Sequence, residues 1–216
     1  MINFRLAWTP TSRTIAATAI ATIMTLVSFG ANAATITRSF KGNDCSGYFG
    51  TGFDSCTIFV NDNGERIELS PVIAKFGGDL TLSETNETLF PSVDGSEFSF
   101  SNTTADNKTG DWDYTAGIDD PGVRYWATKA GGNFLLHWEV DDAEIASGGA
   151  CDVSDVYTLD CLAAAMIQSA GSWTTPDNKA LSHITFYDTA VVPIPAAVWL
   201  FGSALAGLGF TRRRRS

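Results

Sequence analysis

Histidine is scarce in this chain of 216 residues, which contains only two, His137 and His183. The sequence also lacks a G-x-S-x-G turn, the signature that exposes a serine nucleophile in many hydrolases. Complete EF-hand calcium loops are absent, and none of the four cysteines belongs to a C-x-x-C pair. Both histidines fall on the less apolar face of a predicted strand. These absences argue against a metalloenzyme or a serine hydrolase, and we predict no catalytic residue and no metal ligand.

Positive charge is scarce between the two ends of the chain. All 24 Asp and Glu lie within residues 34–192, whereas only eight of the 14 Lys and Arg do. This central part therefore carries a net charge of −16, compared with −10 for the whole chain. Nucleic acids and anionic membrane surfaces attract positive charge. We therefore predict neither as a partner of the central part.

The first 33 residues have the composition of a Sec-type secretory signal peptide. Arg5 and Arg13 provide the positive start, and residues 15–29 form an apolar run without a charge. Ala31-Asn32-Ala33 is a small-x-small cleavage site directly after that run, which is short for a transmembrane helix. We therefore expect the Sec translocon and signal peptidase to act on residues 1–33, so that the mature chain begins at Ala34.

The last 27 residues, 190–216, combine a Pro-x-Pro step, an apolar run and a block of four arginines. Residues 190–210 carry no charge and would form a helix about 31 Å long, close to the ~30 Å hydrocarbon core of a bilayer. Because proline is excluded from a helix interior, the helix begins at or after Pro195 and spans one bilayer thickness or slightly less. Arginines beside a span stay in the cytoplasm, which places the bulk of the chain outside.

This tail resembles the PEP-CTERM sorting signal of Gram-negative bacteria, in its V-P-x-P-A variant. The residues that match the motif are Val192, Pro193, Ile194, Pro195 and Ala196. The predicted membrane anchor contains Trp199, Leu200, Phe201, Leu205, Leu208 and Phe210, and the cytoplasmic block is Arg212, Arg213, Arg214 and Arg215. Ile194 stands where the Pro-Glu-Pro form of the signal has glutamate, which leaves open the subtype of enzyme that reads this tail.

The resemblance implies recognition by an exosortase, an integral-membrane cysteine transpeptidase-like enzyme that cuts near the Pro-x-Pro step. It further implies a protein that is membrane-anchored before processing and then resides at the cell surface or in the extracellular matrix, in association with exopolysaccharide or biofilm. An ordinary C-terminal membrane anchor without processing is the alternative interpretation of the tail. For the exported part, a carbohydrate-binding module and a secreted hydrolase are the alternative functions.

The four cysteines, Cys45, Cys56, Cys151 and Cys161, all lie in the part expected to be exported. An even number of cysteines in an oxidising compartment favours disulfides over free thiols. Three connectivities are available to four cysteines. We favour Cys45–Cys56 with Cys151–Cys161, since each of these pairs closes a short local loop.

Short alternating segments predict an all-β domain over residues 34–188, flanked by the signal peptide (1–33) and the sorting tail (189–216). The clearest prediction is a hairpin of residues 123–130 and 133–140 around Gly131-Gly132. Pro71 indicates an edge position or a β-bulge in the strand of residues 65–76. Residues 159–170 are the one predicted helix, with Gly171 as its stop. Strands at regular spacing favour an antiparallel β-sandwich with one short helix.

Three segments also resemble parts of the ectodomains that often precede this kind of tail. They are Asp111-Trp112-Asp113-Tyr114, the stretch 171–176 and the stretch 181–187. This second resemblance implies a jelly-roll-like sandwich without an assigned activity.

Two kinds of ligand are compatible with the sequence of the exported part. Trp126 lies on the same predicted strand face as Arg124, which makes it a candidate platform for stacking a sugar. Acidic turns with hard oxygen ligands suit Ca²⁺, although none completes a known calcium motif. The three acidic segments are residues 62–65, Asp111 with Asp113, and residues 141–144. Solvated surface turns are the alternative interpretation of all three.

Overall fold

The computed structural model describes residues 33–189. The predicted signal peptide up to residue 32, the Pro-x-Pro motif, the membrane anchor and the arginine block lie outside the described residues. Within residues 33–189, no helix combines the length and the apolar character needed to cross a bilayer.

Antiparallel β-strands dominate the described part of the chain, together with two short α-helices and two 3-10 turns. The strands are β1 (Ala33–Lys41), β2 (Thr57–Asp62), β3 (Glu65–Gly77), β4 (Leu82–Thr85), β5 (Phe98–Ser101), β6 (Thr109–Tyr114), β7 (Val123–Ala130), β8 (Asn133–Asp141), β9 (Ala170–Thr174) and β10 (His183–Asp188). The helices are α1 (Asp142–Ile145) and α2 (Leu159–Ala163), and the 3-10 turns are Ala105–Asn107 and Pro176–Asn178.

The strands form two sheets of unequal size. The larger sheet has seven strands in the order β1-β8-β7-β10-β3-β2, with β4 also paired to β3, and it curls into a half-barrel. The smaller sheet has three strands in the order β5-β6-β9. Every strand pair in both sheets is antiparallel.

Each face of the large sheet contributes to a separate hydrophobic core. The first core contains Phe134, Leu136, Trp138 and Tyr187, which pack with the loop that carries the first cysteine pair. The second core lies between the two sheets and is built largely from aromatic side chains: Phe76, Phe98, Trp112, Trp126, Trp173 and Phe186. Alternate side chains of β7 and β10 enter opposite faces, so these two central strands are buried on both sides. On β8 the face towards the first core is buried, whereas Leu135 and Glu139 on the other face are partly exposed.

Aromatic side chains join the two edges of the curled sheet. Phe40 on β1 lies 4.9 Å from Tyr157 and 4.6 Å from Tyr48, measured between ring centroids. Tyr48 in turn stacks on Phe59 of β2 at 5.9 Å, and the Tyr157 hydroxyl donates to the Phe59 carbonyl. The half-barrel is therefore closed by side chains rather than by a strand ladder.

The small sheet depends on two glycines that face tryptophans. Gly110 of β6 pairs with Trp173 of β9, and Trp112 of β6 pairs with Gly171 of β9. A Cβ atom on Gly110 would lie 2.3 Å from the Trp173 ring, and one on Gly171 would lie 2.8 Å from the Trp112 ring. Each indole therefore folds over the backbone of the neighbouring strand, where only glycine leaves room.

Several predictions from the sequence are confirmed. The hairpin forms as β7 and β8, and the local cysteine pairing occurs as two disulfides, Cys45–Cys56 and Cys151–Cys161. A register shift between Ile58 and Phe59, opposite residues 68–70, places a bulge beside Pro71, as its position in the strand indicated.

The predicted helix of residues 159–170 is too long. Helix α2 ends at Ala163, and residues 170–174 form β9 instead. Trp173 on β9 is buried in the second core. The tertiary pairing of β9 with β6 therefore overrides the helix propensity of the alanine-rich segment.

Removing the Cys45–Cys56 disulfide should lower the free energy of unfolding by more than its loop length predicts. The two disulfides span nearly equal separations, 11 and 10 residues. Chain entropy alone therefore gives each about 3 kcal/mol. Cys45 and Cys56 also pack against the buried Tyr187 hydroxyl, which lies 3.6 Å from each sulfur. Urea unfolding of the Cys45→Ala/Cys56→Ala and Cys151→Ala/Cys161→Ala variants makes the comparison, and equal losses would contradict the added packing contribution.

Candidate functional site

Three buried side chains, Asp44, His183 and Tyr187, form a polar group that is here called the Asp44 cluster. Asp44 directly precedes Cys45, where the loop closed by the Cys45–Cys56 disulfide begins, and the other two lie on β10. His183 Nε2 is 2.7 Å from Asp44 Oδ1, and the Tyr187 hydroxyl donates to Asp44 Oδ2 at 3.3 Å. The cluster therefore fixes the disulfide loop to the central strand of the sheet.

The electrostatics of the cluster favour an ionised aspartate. Burial by itself would raise the pKa of Asp44, but the hydrogen bond and the charge of His183 oppose it and hold the pKa below its usual value. Burial and the adjacent Asp44 carboxylate raise the pKa of Tyr187 well above its usual value. Tyr187 is consequently a neutral hydrogen-bond donor to a charged acceptor, an arrangement that strengthens the hydrogen bond.

His137 lies between two threonines and not in a catalytic arrangement. Its Nδ1 is 3.1 Å from the Thr37 hydroxyl, its Nε2 is 3.0 Å from the Thr128 hydroxyl, and its ring stacks on Trp126 at 5.5 Å. Burial lowers the pKa of His137 to about 3. The ring is therefore neutral at physiological pH.

An aspartate–histidine pair can orient an imidazole as a general base, but it needs a nucleophile on the other ring nitrogen. Across residues 33–189, neither His137 nor His183 is hydrogen-bonded to a serine or a cysteine. Only 10% of the His183 side chain is exposed, and Asp44 is fully buried. The geometry of the Asp44 cluster therefore suits a structural tie.

The prediction that Trp126 is an exposed sugar platform is wrong. Trp126 is fully buried, packs against Trp112 at 5.2 Å and donates from its indole nitrogen to the Ser172 carbonyl at 3.0 Å. Arg124, its predicted companion, is only partly exposed, and its Nε atom is buried. The less apolar face of β7 is covered by the small sheet, which the alternation of one strand does not reveal.

The three acidic segments considered for Ca²⁺ lie apart from one another. The first forms the β2–β3 turn, and Asp111 on β6 accepts from Asn102 at 2.6 Å. In the third segment Asp141 caps α1 by accepting from the Ala143 amide, and Glu144 accepts from the Ala150 amide at 3.0 Å. Among residues 33–189, no three acidic, histidine or cysteine side chains are grouped so that they could hold a metal ion.

Sequence reasoning missed Asp44 as a member of a buried cluster. The stretch around it is rich in glycine and polar residues and forms a loop. A charged residue in such a loop is ordinarily exposed. The one available signal is its position directly before Cys45, because a disulfide draws its neighbours towards the core.

Replacing Asp44 with asparagine should lower the free energy of unfolding by about 2 kcal/mol at neutral pH, because the buried carboxylate that accepts hydrogen bonds from His183 and Tyr187 is lost. The pKa of Asp44 is lower in the folded chain than in the unfolded chain. Its contribution is therefore complete above the unfolded pKa and disappears as the pH falls through the folded pKa. Urea unfolding at several pH values measures both effects. Asp54→Asn, an exposed acid in the same loop, is the control and should change stability little.

His137 should make the domain less stable in mild acid. Because its folded pKa is about 3 and the ordinary value is 6.5, the unfolded chain binds a proton in this window and the folded chain does not. Stability therefore falls as the pH drops from 6.5 towards 3, by about 2 kcal/mol between pH 6.5 and 4.5. His137→Gln should flatten the dependence in that range, whatever its effect at neutral pH. An unchanged slope in urea unfolding experiments would show that this histidine is protonated in the fold.

Comparisons of this chain with protein-family models, with curated proteins and with solved structures find no match. The residues and the geometry of the chain itself therefore carry its functional assignment.

Proposed function

We propose that this protein is a non-enzymatic, exported cell-surface or extracellular-matrix protein, delivered by its C-terminal tail to an exosortase-type membrane enzyme. The order of Pro-x-Pro step, apolar run and arginine block in residues 190–216 carries the proposal. Residues 1–33 supply the export signal, read by the Sec translocon and signal peptidase. The chain is anchored in the membrane through residues 196–210 until it is processed, and exopolysaccharide is the proposed neighbour of the released domain.

The two disulfides support an extracytoplasmic location. Cys45–Cys56 and Cys151–Cys161 leave no free cysteine in the described chain. Disulfides persist in oxidising compartments and are rare in the cytosol. The pairing therefore agrees with export of residues 34–188.

The end of the fold lies just ahead of the proposed processing step. Strand β10 ends at Asp188, and Val192 begins the motif after three intervening residues. β10 is held between β7 and β3, and all ten strands of the described residues precede the motif. A cut near Pro193 or Pro195 would release the domain with all ten strands.

The arrangement of the strands is compatible with the finer fold that the sequence suggested. The small sheet covers one face of the large sheet through the second core, as in a β-sandwich. We propose a sandwich related to jelly rolls, with its large sheet curled. The buried Trp126 removes the feature that favoured a carbohydrate-binding module, and the histidine geometry offers nothing in favour of a hydrolase.

The intact mass of the protein tests the proposal. We expect the protein from the medium or cell surface of a host with an exosortase-type enzyme to begin at Ala34 and to lack the helix and the arginine block. Both disulfides should be oxidised in that product. A cytoplasmic protein with residues 1–33 attached and free thiols would contradict the proposal.

A pair of proline variants separates processing from folding. Pro193→Ala/Pro195→Ala should leave the chain at full C-terminal length in the membrane fraction. Pro91→Ala, in an exposed loop of the domain, should be processed like the wild type. Release of the double variant at the wild-type rate would favour a plain anchor that is cut by an unrelated protease.

A further inference from the structure

The described chain enters and leaves the large sheet at the same end. Ala33, the first residue of β1, pairs with Asp141 at the end of β8, and Asp188, the last residue of β10, pairs with Val123 at the start of β7. Because β7 and β8 are antiparallel neighbours, these two pairs lie at one end of the strands. Three strand spacings, about 14 Å, separate β1 from β10. This region is called the exit end below.

The exit end exposes three large apolar side chains. Ile118, in the loop that leads into β7, is 89% exposed, and Ile145, at the end of α1 just after β8, is 45% exposed. Ile167 is 62% exposed, and the residue that follows it, Gln168, forms a β-bridge with Val123. Ile118 and Ile167 are the two most exposed large hydrophobic residues in the described chain.

Ile167 lies directly beside the point where the chain leaves the fold. Its Cγ2 methyl and that of Thr189 both lie 2.8 Å from the place that a Cβ atom on Gly122 would occupy. Thr189 is followed at once by the uncharged run of residues 190–210. An exposed isoleucine therefore neighbours the residue from which the link to the proposed membrane anchor begins.

The link between the fold and that segment is short. Residues 190–195 are the only ones between Thr189 and the earliest start of the helix, and six extended residues reach about 20 Å. Before processing, the exit end thus stays close to the bilayer surface. Side chains at the exit end are therefore within reach of the lipid headgroups.

The charge at the exit end selects the kind of lipid. Asp119, Asp120, Asp141 and Asp142 flank the isoleucines, and the exported part as a whole carries −16. These carboxylates are repelled by anionic headgroups, whereas zwitterionic headgroups carry no net charge. Apolar side chains at an interface favour partial insertion into it.

We propose that the exit end is a lipid-docking face, by which Ile118, Ile145 and Ile167 rest on a zwitterionic bilayer surface while the C-terminal tail is uncleaved. This inference rests on the proposed role of the tail as a membrane anchor. Docking holds the domain in one orientation, with the Pro-x-Pro step at the membrane surface where an integral-membrane enzyme works.

Site-specific fluorescence on the uncleaved chain tests the docking. The chain with its tail is produced in a host without a processing enzyme and reconstituted in phosphatidylcholine nanodiscs. An environment-sensitive dye is attached at Ile118→Cys or, as the matched control, at Leu82→Cys. Leu82 is 43% exposed and lies near the opposite end of the large sheet. We expect several-fold stronger quenching by headgroup-region spin-labelled lipid at position 118 than at position 82.

A second pair of variants tests the role of the isoleucines. With the dye at Ile145→Cys, the substitutions Ile118→Asn and Ile167→Asn should abolish the preferential quenching, while the exposed location of both residues leaves the fold intact. Replacing part of the phosphatidylcholine with phosphatidylglycerol should weaken the quenching of the Ile118 label. Stronger quenching on the anionic bilayer would overturn the proposed lipid choice.

The remaining outcomes are distinguishable. Equal, weak quenching at positions 118 and 82 in chains that co-purify with nanodiscs overturns docking and leaves the anchor in place. Failure to co-purify with nanodiscs refutes the anchor and docking together. Shielding at position 118 that rises with the number of chains per nanodisc identifies a contact between copies and overturns lipid docking.

Discussion

Burial of β10 on both faces is the constraint on which the rest of this structure depends. All six residues of the strand are buried, between β7 on one side and β3 on the other. Phe186 enters the aromatic core shared with the small sheet, whereas His183 and Tyr187 face the first core and bind Asp44. A single central strand therefore links both hydrophobic cores, the disulfide loop and the exit of the chain towards its tail.

Two disulfide-closed segments cover the first core on the inner face of the curled sheet. A half-barrel leaves its inner face open, and here a loop closed by Cys45–Cys56 and a segment closed by Cys151–Cys161 cover it. The Asp44 cluster fixes the first of these covers by charge-assisted hydrogen bonds in a buried setting, where they are strong. Disulfides reduce the conformational entropy of the unfolded chain, and these contacts stabilise the folded chain. This combination suits a domain that is exposed outside the cell.

Function in this proposal resides at the ends of the domain and not in a cleft. The two buried histidines and Trp126 serve in packing and hydrogen bonding. These side chains, which were the candidates for catalysis or ligand binding, are therefore already engaged within the fold. What the fold presents outwardly is an acidic surface and one end where the chain enters, leaves and exposes isoleucines. Sorting, anchoring and docking at that end would each use the ends of the domain and not its buried polar side chains.

The sequence alone determined the features that depend on neighbouring residues: the β7–β8 hairpin, the bulge near Pro71, the two local disulfides and the sorting-type tail, whose function stays a prediction. Only the tertiary structure decided which strand faces are covered. Trp126 shares its face with polar residues, yet a small sheet of β5, β6 and β9 buries it. Likewise, the sequence pattern predicted Gly171 as the end of a helix, whereas in the fold this glycine leaves room for the Trp112 ring. Asp44 is hydrogen-bonded to His183, which lies 139 residues away in the sequence. Alternation along a strand records its two faces but not what packs on them, because those partners come from distant parts of the chain.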